Sequence, residues 1–415
     1  MAKGLAPFVL AALVAVSTQR PALSEQQVPR VEGPALSEEQ VPRVEGPARG
    51  ILVEHVSCPT DPTQTYTLYL PAKYETSRKW PLLLVFDPGG RAARAAEVFR
   101  EAAERFGWIV AASENSRNGP WEPTLRAINA MWPALLGGYA VDEHRVYAAG
   151  HSGGATVAWL LAHQTGRIAG VIASGQPNPQ SEQSKSKPFA WFGSAGHTDF
   201  NLMEVKKIDE AQARTSSPHR MEFFDGGHQW PPSDLIVRAL GWMEIVAMRD
   251  GRRPRDLDLV PMLLAEDMAR AQMLEERGLV IEARRSYESI ASSYTGLIDV
   301  GDAERRGRIL ESDDRFKAAK KMEERADRRE QEQAIALARV LSRLTEDEVP
   351  LVAELQSRLS LDALSKASHG QGYDAASASR SLALIRIQLS SIARELRDKH
   401  DARADVVQKV LDSIK

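Results

Sequence analysis

Gly150-His151-Ser152-Gly153-Gly154 has the spacing G-x-S-x-G. A serine flanked by glycines on a sharp turn from strand to helix stands clear of the backbone on either side, where a bulkier neighbour would block the approach. Its hydroxyl is a weak nucleophile until a base removes the proton. His228, in Phe223-Phe224-Asp225-Gly226-Gly227-His228-Gln229-Trp230-Pro231, stands on a glycine-rich loop after the last strand-like segment and is the candidate base. The chain holds nine histidines, so position and not residue type singles this one out. A carboxylate must orient the imidazole and offset its charge. Asp199, in Gly193-Ser194-Ala195-Gly196-His197-Thr198-Asp199-Phe200-Asn201, is the candidate in chain order, with Asp225 and Glu204 as rivals and His197 as a loop residue. The negative oxygen formed when a serine attacks a carbonyl needs two N–H donors. Gly153 supplies one; the other is expected from Asp87-Pro88-Gly89-Gly90, where Pro88 has no N–H and Gly89 or Gly90 must donate. Residues of these types in this order are suited to acyl transfer, which needs no metal and no organic cofactor.

The elements that must hold them are legible from about residue 51 to 250. Pro81 to Phe86 is a continuous apolar run, the pattern of a strand buried on both faces. Tyr66 to Leu70, Trp108 to Ala112, Arg145 to Ala149, Ile168 to Ala173, Pro188 to Phe192 and Arg220 to Phe224 read as further strands. Between them, Arg91 to Phe106, Pro123 to Leu136, Gly153 to His163, Leu202 to Ala213 and Asp234 to Met248 read as helices, several closed by glycine. Strands alternating with helices imply a mostly parallel sheet flanked by helices, the α/β class. The segment from Ala173 to Pro188 is short and polar, which leaves no room for a large lid. Beyond about Asp250 the strand signals end. Residues 251–415 read as an all-α domain rich in Ala, Leu, Glu, Arg and Gln. Gly278, Ala283, Tyr287 and Ala291 have the spacing of one helical hairpin, over 265–297, of the kind that builds tetratricopeptide repeats. The charged stretch Ser312 to Gln333 reads as a solvated helix face.

The first 24 residues have the organisation of an export signal: Lys3, then an apolar run from Leu5 to Val16, then small residues at Ala15-Val16-Ser17 or Ala22-Leu23-Ser24. That run is shorter than the roughly 20 residues needed to span a bilayer. Two tandem copies follow, PALSEQQVPRVEG from Pro21 to Gly33 and PALSEEQVPRVEG from Pro34 to Gly46, differing at Gln26 and Glu39. Proline-rich and without aromatics, residues 25–50 are expected to form a disordered spacer. The net charge of −3 lacks the basic surplus of a nucleic-acid binder. Cys58 is the single cysteine, which excludes an internal disulfide and a multi-cysteine zinc site.

The motifs RVYAAGHSGG, GHTDFN, GGHQWP and PLLLVFDPGG together make residues 51–250 resemble the α/β-hydrolase superfamily. Within it they resemble the compact esterases related to polyhydroxybutyrate depolymerases and feruloyl esterases. The resemblance implies an eight-stranded sheet, a triad of Ser152, His228 and Asp199, and ester hydrolysis through an acyl-enzyme. This chain departs from the family pattern where His-Gly is common and Asp87-Pro88 stand here, so the oxyanion loop is expected to differ in shape. Trp121 and Trp230 are expected at the rim of the cleft, and His151 beside it, as substrate-binding residues. An open site suits short acyl esters or an exposed ester of a polymer. Two other readings stand beside this one: a peptidase or thioesterase with the same triad, and a scaffold whose helical tail recruits a protein partner. Export, to the periplasm or beyond, follows from the signal, with no stable membrane span in the mature chain.

Overall fold

The structure is a computed structural model that describes residues 48–177, 189–344 and 351–414. The expected export signal and nearly all of the tandem-repeat spacer lie outside the described residues, as does most of the polar segment ahead of residue 189.

Eight strands form one sheet: β1 (Leu52–Cys58), β2 (Asp61–Tyr69), β3 (Trp80–Phe86), β4 (Ile109–Ser113), β5 (Val141–His151), β6 (Gly170–Ser174), β7 (Ala190–Gly196) and β8 (His219–Phe224). Their order is β1-β2-β4-β3-β5-β6-β7-β8. β2 runs antiparallel to both of its neighbours, and every pair from β4 to β8 is parallel. This is the α/β-hydrolase arrangement, reached from topology alone. All seven residues of β3 and all seven of β7 are buried, because a central parallel strand is covered on both faces. One face, carrying Leu83, Val85, Val110, Ala112, Tyr147, Ala149 and Phe192, packs against α1 (Ala92–Phe106) and α5 (Ser233–Arg249). Leu82, Leu84, Ala111, Ala148 and Val171 point the other way, as the two-residue period of a strand requires, and are equally buried. The helices α2 (Trp121–Gly138) and α3 (Gly153–Thr165) also pack on the sheet.

Several boundaries differ from the sequence reading, each for a tertiary reason. β1 carries no continuous apolar run and has mostly part-exposed or exposed residues, because it pairs on one side only. The last four residues of β2 are all buried and do not alternate, since β1 and β4 flank the strand. β7 continues through Gly193-Ser194-Ala195-Gly196, where glycines suggested a loop. Those glycines answer a packing demand instead: a Cβ at Gly193 would run into the ring of Trp191, and one at Gly196 into the carbonyl of Gly226.

The described residues form two compact units. The first joins residues up to 196 with 204–316. It includes most of α4 (Leu202–Gln212) and three helices after the sheet, α6 (Leu259–Glu276), α7 (Val280–Tyr294) and α8 (Gly301–Ser312). The boundary expected at 250/251 therefore falls inside this unit. Buried Arg220 of β8 reaches both carboxylate oxygens of Asp267 in α6, at 2.9 and 2.8 Å, and the Tyr294 hydroxyl donates to the same carboxylate at 3.0 Å. Trp242 of α5 donates to Ser293 Oγ at 2.8 Å. The expected hairpin is present as α6 and α7, joined through Gly278 at φ 76°, with Ala283 and Tyr287 buried. One hairpin does not show a tetratricopeptide module.

The second unit joins residues 197–203 with the described part of 317–414. Its helices are most of α9 (Asp314–Arg343), α10 (Val352–Arg358), α11 (Leu361–Ser368), α12 (Gly372–Asp398) and α13 (Arg403–Ser413). Leu337, Leu341, Leu355, Ile385, Leu389 and Val407 contribute to its core. No helix among the described residues is long and apolar enough to cross a membrane.

Candidate active site

The C-terminal ends of parallel strands are where α/β sheets present ligands to side chains. Register brings five of those ends side by side: Phe86 of β3 pairs with Gly150 of β5, His151 with Ser174 of β6, Ser174 with Ser194 of β7, and Gly196 with Phe224 of β8.

Ser152 lies between β5 and α3 with φ 54° and ψ −124°, a conformation that side-chain-bearing residues rarely adopt. Such a residue costs roughly 1–3 kcal/mol, and the surroundings must hold it. Here the Ser152 N–H donates to Ser174 O at 2.8 Å, and its carbonyl accepts from the Ala155 and Thr156 amides at 3.0 and 3.3 Å. The flanking glycines are obligatory. A Cβ at Gly150 would collide with the carbonyl of Gly154, and one at Gly154 would lie 2.6 Å from the carbonyl carbon of Phe86. Gly153 and Gly154 open α3, where N–H groups have no partner within the helix.

His228 arrives on the loop after β8. Its ring lies against that of His151, centroids 4.5 Å apart and planes tilted by 44°. His151 is itself buried and also contacts Trp230 at 5.6 Å. Ser174 pins the same loop, since its hydroxyl donates to Gln229 O at 3.4 Å while its carbonyl holds the Ser152 amide. Trp230, expected at the rim, is instead 7% exposed: it packs edge-on against Phe99 and donates from Nε1 to Asp87 Oδ2 at 2.9 Å. Trp121 is half-buried at the first turn of α2.

Asp87 is 1% exposed and organises the loop after β3. Its Oδ1 accepts from the Gly89 amide at 2.8 Å, the Arg91 amide at 3.3 Å and Arg91 Nε at 2.9 Å. Burial alone would raise its pKa, but hydrogen bonds from Arg91, Trp230 and Gly89 outweigh burial and hold the carboxyl below its ordinary range. The Gly90 amide donates to Asp87 O at 3.1 Å. Both amides expected to line the oxyanion pocket thus point back at Asp87. The departure at Asp87-Pro88 contributes to this, because the carboxylate that begins the turn accepts the Gly89 and Arg91 amides while the Asp87 carbonyl accepts that of Gly90.

Asp199 belongs to the second unit and is fully buried. Its Oδ1 accepts from the Asn201 amide at 2.8 Å and its carbonyl from Leu202 at 2.9 Å, at the start of α4. Within that unit Arg380 Nη1 donates to His197 O at 2.8 Å, and the same guanidinium is paired with Glu330 at 2.6 Å. The rivals differ in character. The Asp225 side chain is 83% exposed, 3.9 Å from Arg277, and Glu204 is paired with Lys207 at 2.6 Å.

Sequence reasoning missed Ser174 and Asn118. Ser174 ends an apolar strand and carries no motif. Asn118, on the loop after β4, donates its amide to Pro88 O at 2.8 Å. A Cβ at Gly153 would collide with Asn118 Oδ1 and lie 3.2 Å from its Nδ2, so the carboxamide occupies the place of a side chain at 153. No group of three or more potential metal-ligating side chains occurs among the described residues.

No protein-family model and no curated protein matches the chain. Solved structures similar to it include a ferulic acid esterase, 18% identical over 46% of this chain and 96% of that one, with a TM-score of 0.38. An S-formylglutathione hydrolase from Staphylococcus aureus is 14% identical over 48% of this chain and 98% of its own, with a TM-score of 0.38. An esterase from the archaeon Pyrobaculum calidifontis is 12% identical over 48% and 87%, with a TM-score of 0.39. At these identities and scores the sheet order, and not the likeness, carries the fold assignment.

Proposed function

We propose that the chain is a serine hydrolase that cleaves carboxylic esters, with Ser152 as nucleophile, His228 as general base and Asp199 as the carboxylate that orients it. One observation carries this reading. Ser152 is held at φ 54° on a strand-to-helix turn, and the ring of His228, from a loop after another strand, lies against the adjacent residue. Strain of that kind is retained where a fold gains something from it. Asp199 is preferred because it is buried, whereas Asp225 is open to solvent and Glu204 has a lysine partner.

In this mechanism His228 takes the Ser152 proton as Oγ attacks the ester carbonyl. The electron pair moves onto the carbonyl oxygen, and the Gly153 N–H is aimed at that negative oxygen. Collapse of the tetrahedral species expels the alcohol, which receives the proton from His228. Water, deprotonated by the same imidazole, then attacks the acyl-serine and releases the acid. No cofactor takes part.

The test is turnover of p-nitrophenyl esters together with labelling by a fluorophosphonate. Ser152→Ala is expected to abolish labelling and to lower kcat by at least about 10⁴-fold, with His228→Ala close behind. Full labelling or turnover in Ser152→Ala would sink the proposal. Peptide and thioester substrates in the same panel decide which acyl bond is preferred.

A further inference from the structure

We infer that the side-chain amide of Asn118 supplies the second hydrogen bond to the oxyanion, in the role usually taken by a backbone N–H of the loop after β3. The inference rests on the serine-hydrolase reading of Ser152. Its ground is an accounting of donors. The Gly89 amide is engaged by Asp87 Oδ1 at 2.8 Å, the Gly90 amide by Asp87 O at 3.1 Å and the Arg91 amide by Asp87 Oδ1 at 3.3 Å. Pro88 has none. The three amides that follow Pro88 are therefore all bonded to Asp87, and with them engaged the Gly153 amide leaves an oxyanion with one donor.

Asn118 stands where the missing donor is needed. Its backbone is fastened to the same loop by the bond from its amide to Pro88 O at 2.8 Å. Its carboxamide lies against Gly153, with Oδ1 the nearest atom to the position a Cβ would take there, then Cγ at 2.8 Å and Nδ2 at 3.2 Å. Gly153 is the residue whose N–H is the first donor. The Asn118 residue is exposed, and no hydrogen bond holds either end of its carboxamide among the described residues. Rotation about Cβ–Cγ exchanges Oδ1 and Nδ2, and a negative oxygen selects the orientation with the N–H₂ toward it. The geometry also explains the glycine at 153, since any side chain would displace the carboxamide.

Asn118→Ala and the isosteric Asn118→Asp are compared with the intact chain on p-nitrophenyl acetate, with melting temperature as the check on folding. The expected result is a fall in kcat of about 10²–10³-fold with KM within about threefold, the signature of a donor used in the transition state. Inhibition by a trifluoromethyl ketone, whose hemiketal oxygen mimics the oxyanion, weakens in parallel. Gly153→Ala, whose methyl takes the carboxamide's place, costs a similar factor, and the double variant Gly153→Ala/Asn118→Ala costs no more than either alone. Retention of kcat within about threefold in folded Asn118→Ala overturns the assignment, and so do multiplying losses in the double variant. Turnover that survives Ser152→Ala points elsewhere, to failure of the serine-hydrolase reading itself.

Discussion

His163 shows how burial alone changes a residue's chemistry. It lies in the last turn of α3 with Trp159 at 4.8 Å and Phe189 at 5.0 Å between ring centroids. Burial disfavours the imidazolium and pushes the pKa down from 6.5 to about 4. Between those values the unfolded chain binds a proton that the folded chain refuses, so stability rises with pH across that window and falls as acid is added. The expected outcome is a melting temperature that drops from pH 7.5 to pH 5 by more in the intact chain than in His163→Leu. Equal drops in the two proteins would show that the imidazole is not the group responsible. Asp87 is the opposite case. There the donors outweigh burial, and a carboxylate that read as an unremarkable turn residue becomes the organiser of a loop.

At the level of elements, the turn from β5 to α3 depends on two close approaches of backbone to backbone. A methyl at Gly150 would meet Gly154 and one at Gly154 would meet Phe86, both main-chain atoms that cannot swing aside. Gly150→Ala and Gly154→Ala are each expected to destabilise the fold by about 3 kcal/mol or more and to lower the yield of soluble protein, because overpacking against backbone forces the helix off the sheet. Urea midpoints against the intact chain measure this. A midpoint unchanged in both variants would mean that α3 can shift outward without penalty. The motif glycines were readable from the sequence. The demand on Gly196 was not, because it comes from Gly226 on a loop that meets β7 only after folding, whereas that on Gly193 comes from Trp191 two residues earlier in the same strand.

At the scale of the whole molecule, the tail is two things. Residues up to 316 include the hairpin fastened by Arg220 and Asp267, and the later helices gather the segment 197–203 into their own unit. Glu330 and Arg380 are 7% and 6% exposed and paired, and Arg380 also holds His197 O. Removing one partner strands a buried charge at about 3–5 kcal/mol. Glu330→Ala is therefore expected to lower the urea midpoint of the helical unit. Under the proposed role of Asp199, loosening its loop is expected to lower ester turnover by on the order of 10²-fold, the scale of a small displacement of a catalytic group. Hydrolysis rates and unfolding curves on one preparation test both effects. Lower stability with intact turnover would separate Asp199 from the chemistry.

The sequence by itself determined the class of the sheet, the turn that carries Ser152 and the loop that carries His228. Those depend on local pattern: apolar runs of strand length, helical spacing and glycines at fixed offsets. Only the tertiary structure decided which amides of the Asp87 loop are already spent, that Trp230 lies buried against Asp87 and His151, and that Asn118 and Ser174 stand next to residues distant in sequence. A hydrogen bond between segments leaves no periodicity in either segment, so its partners come into view only when folding brings the strand ends together.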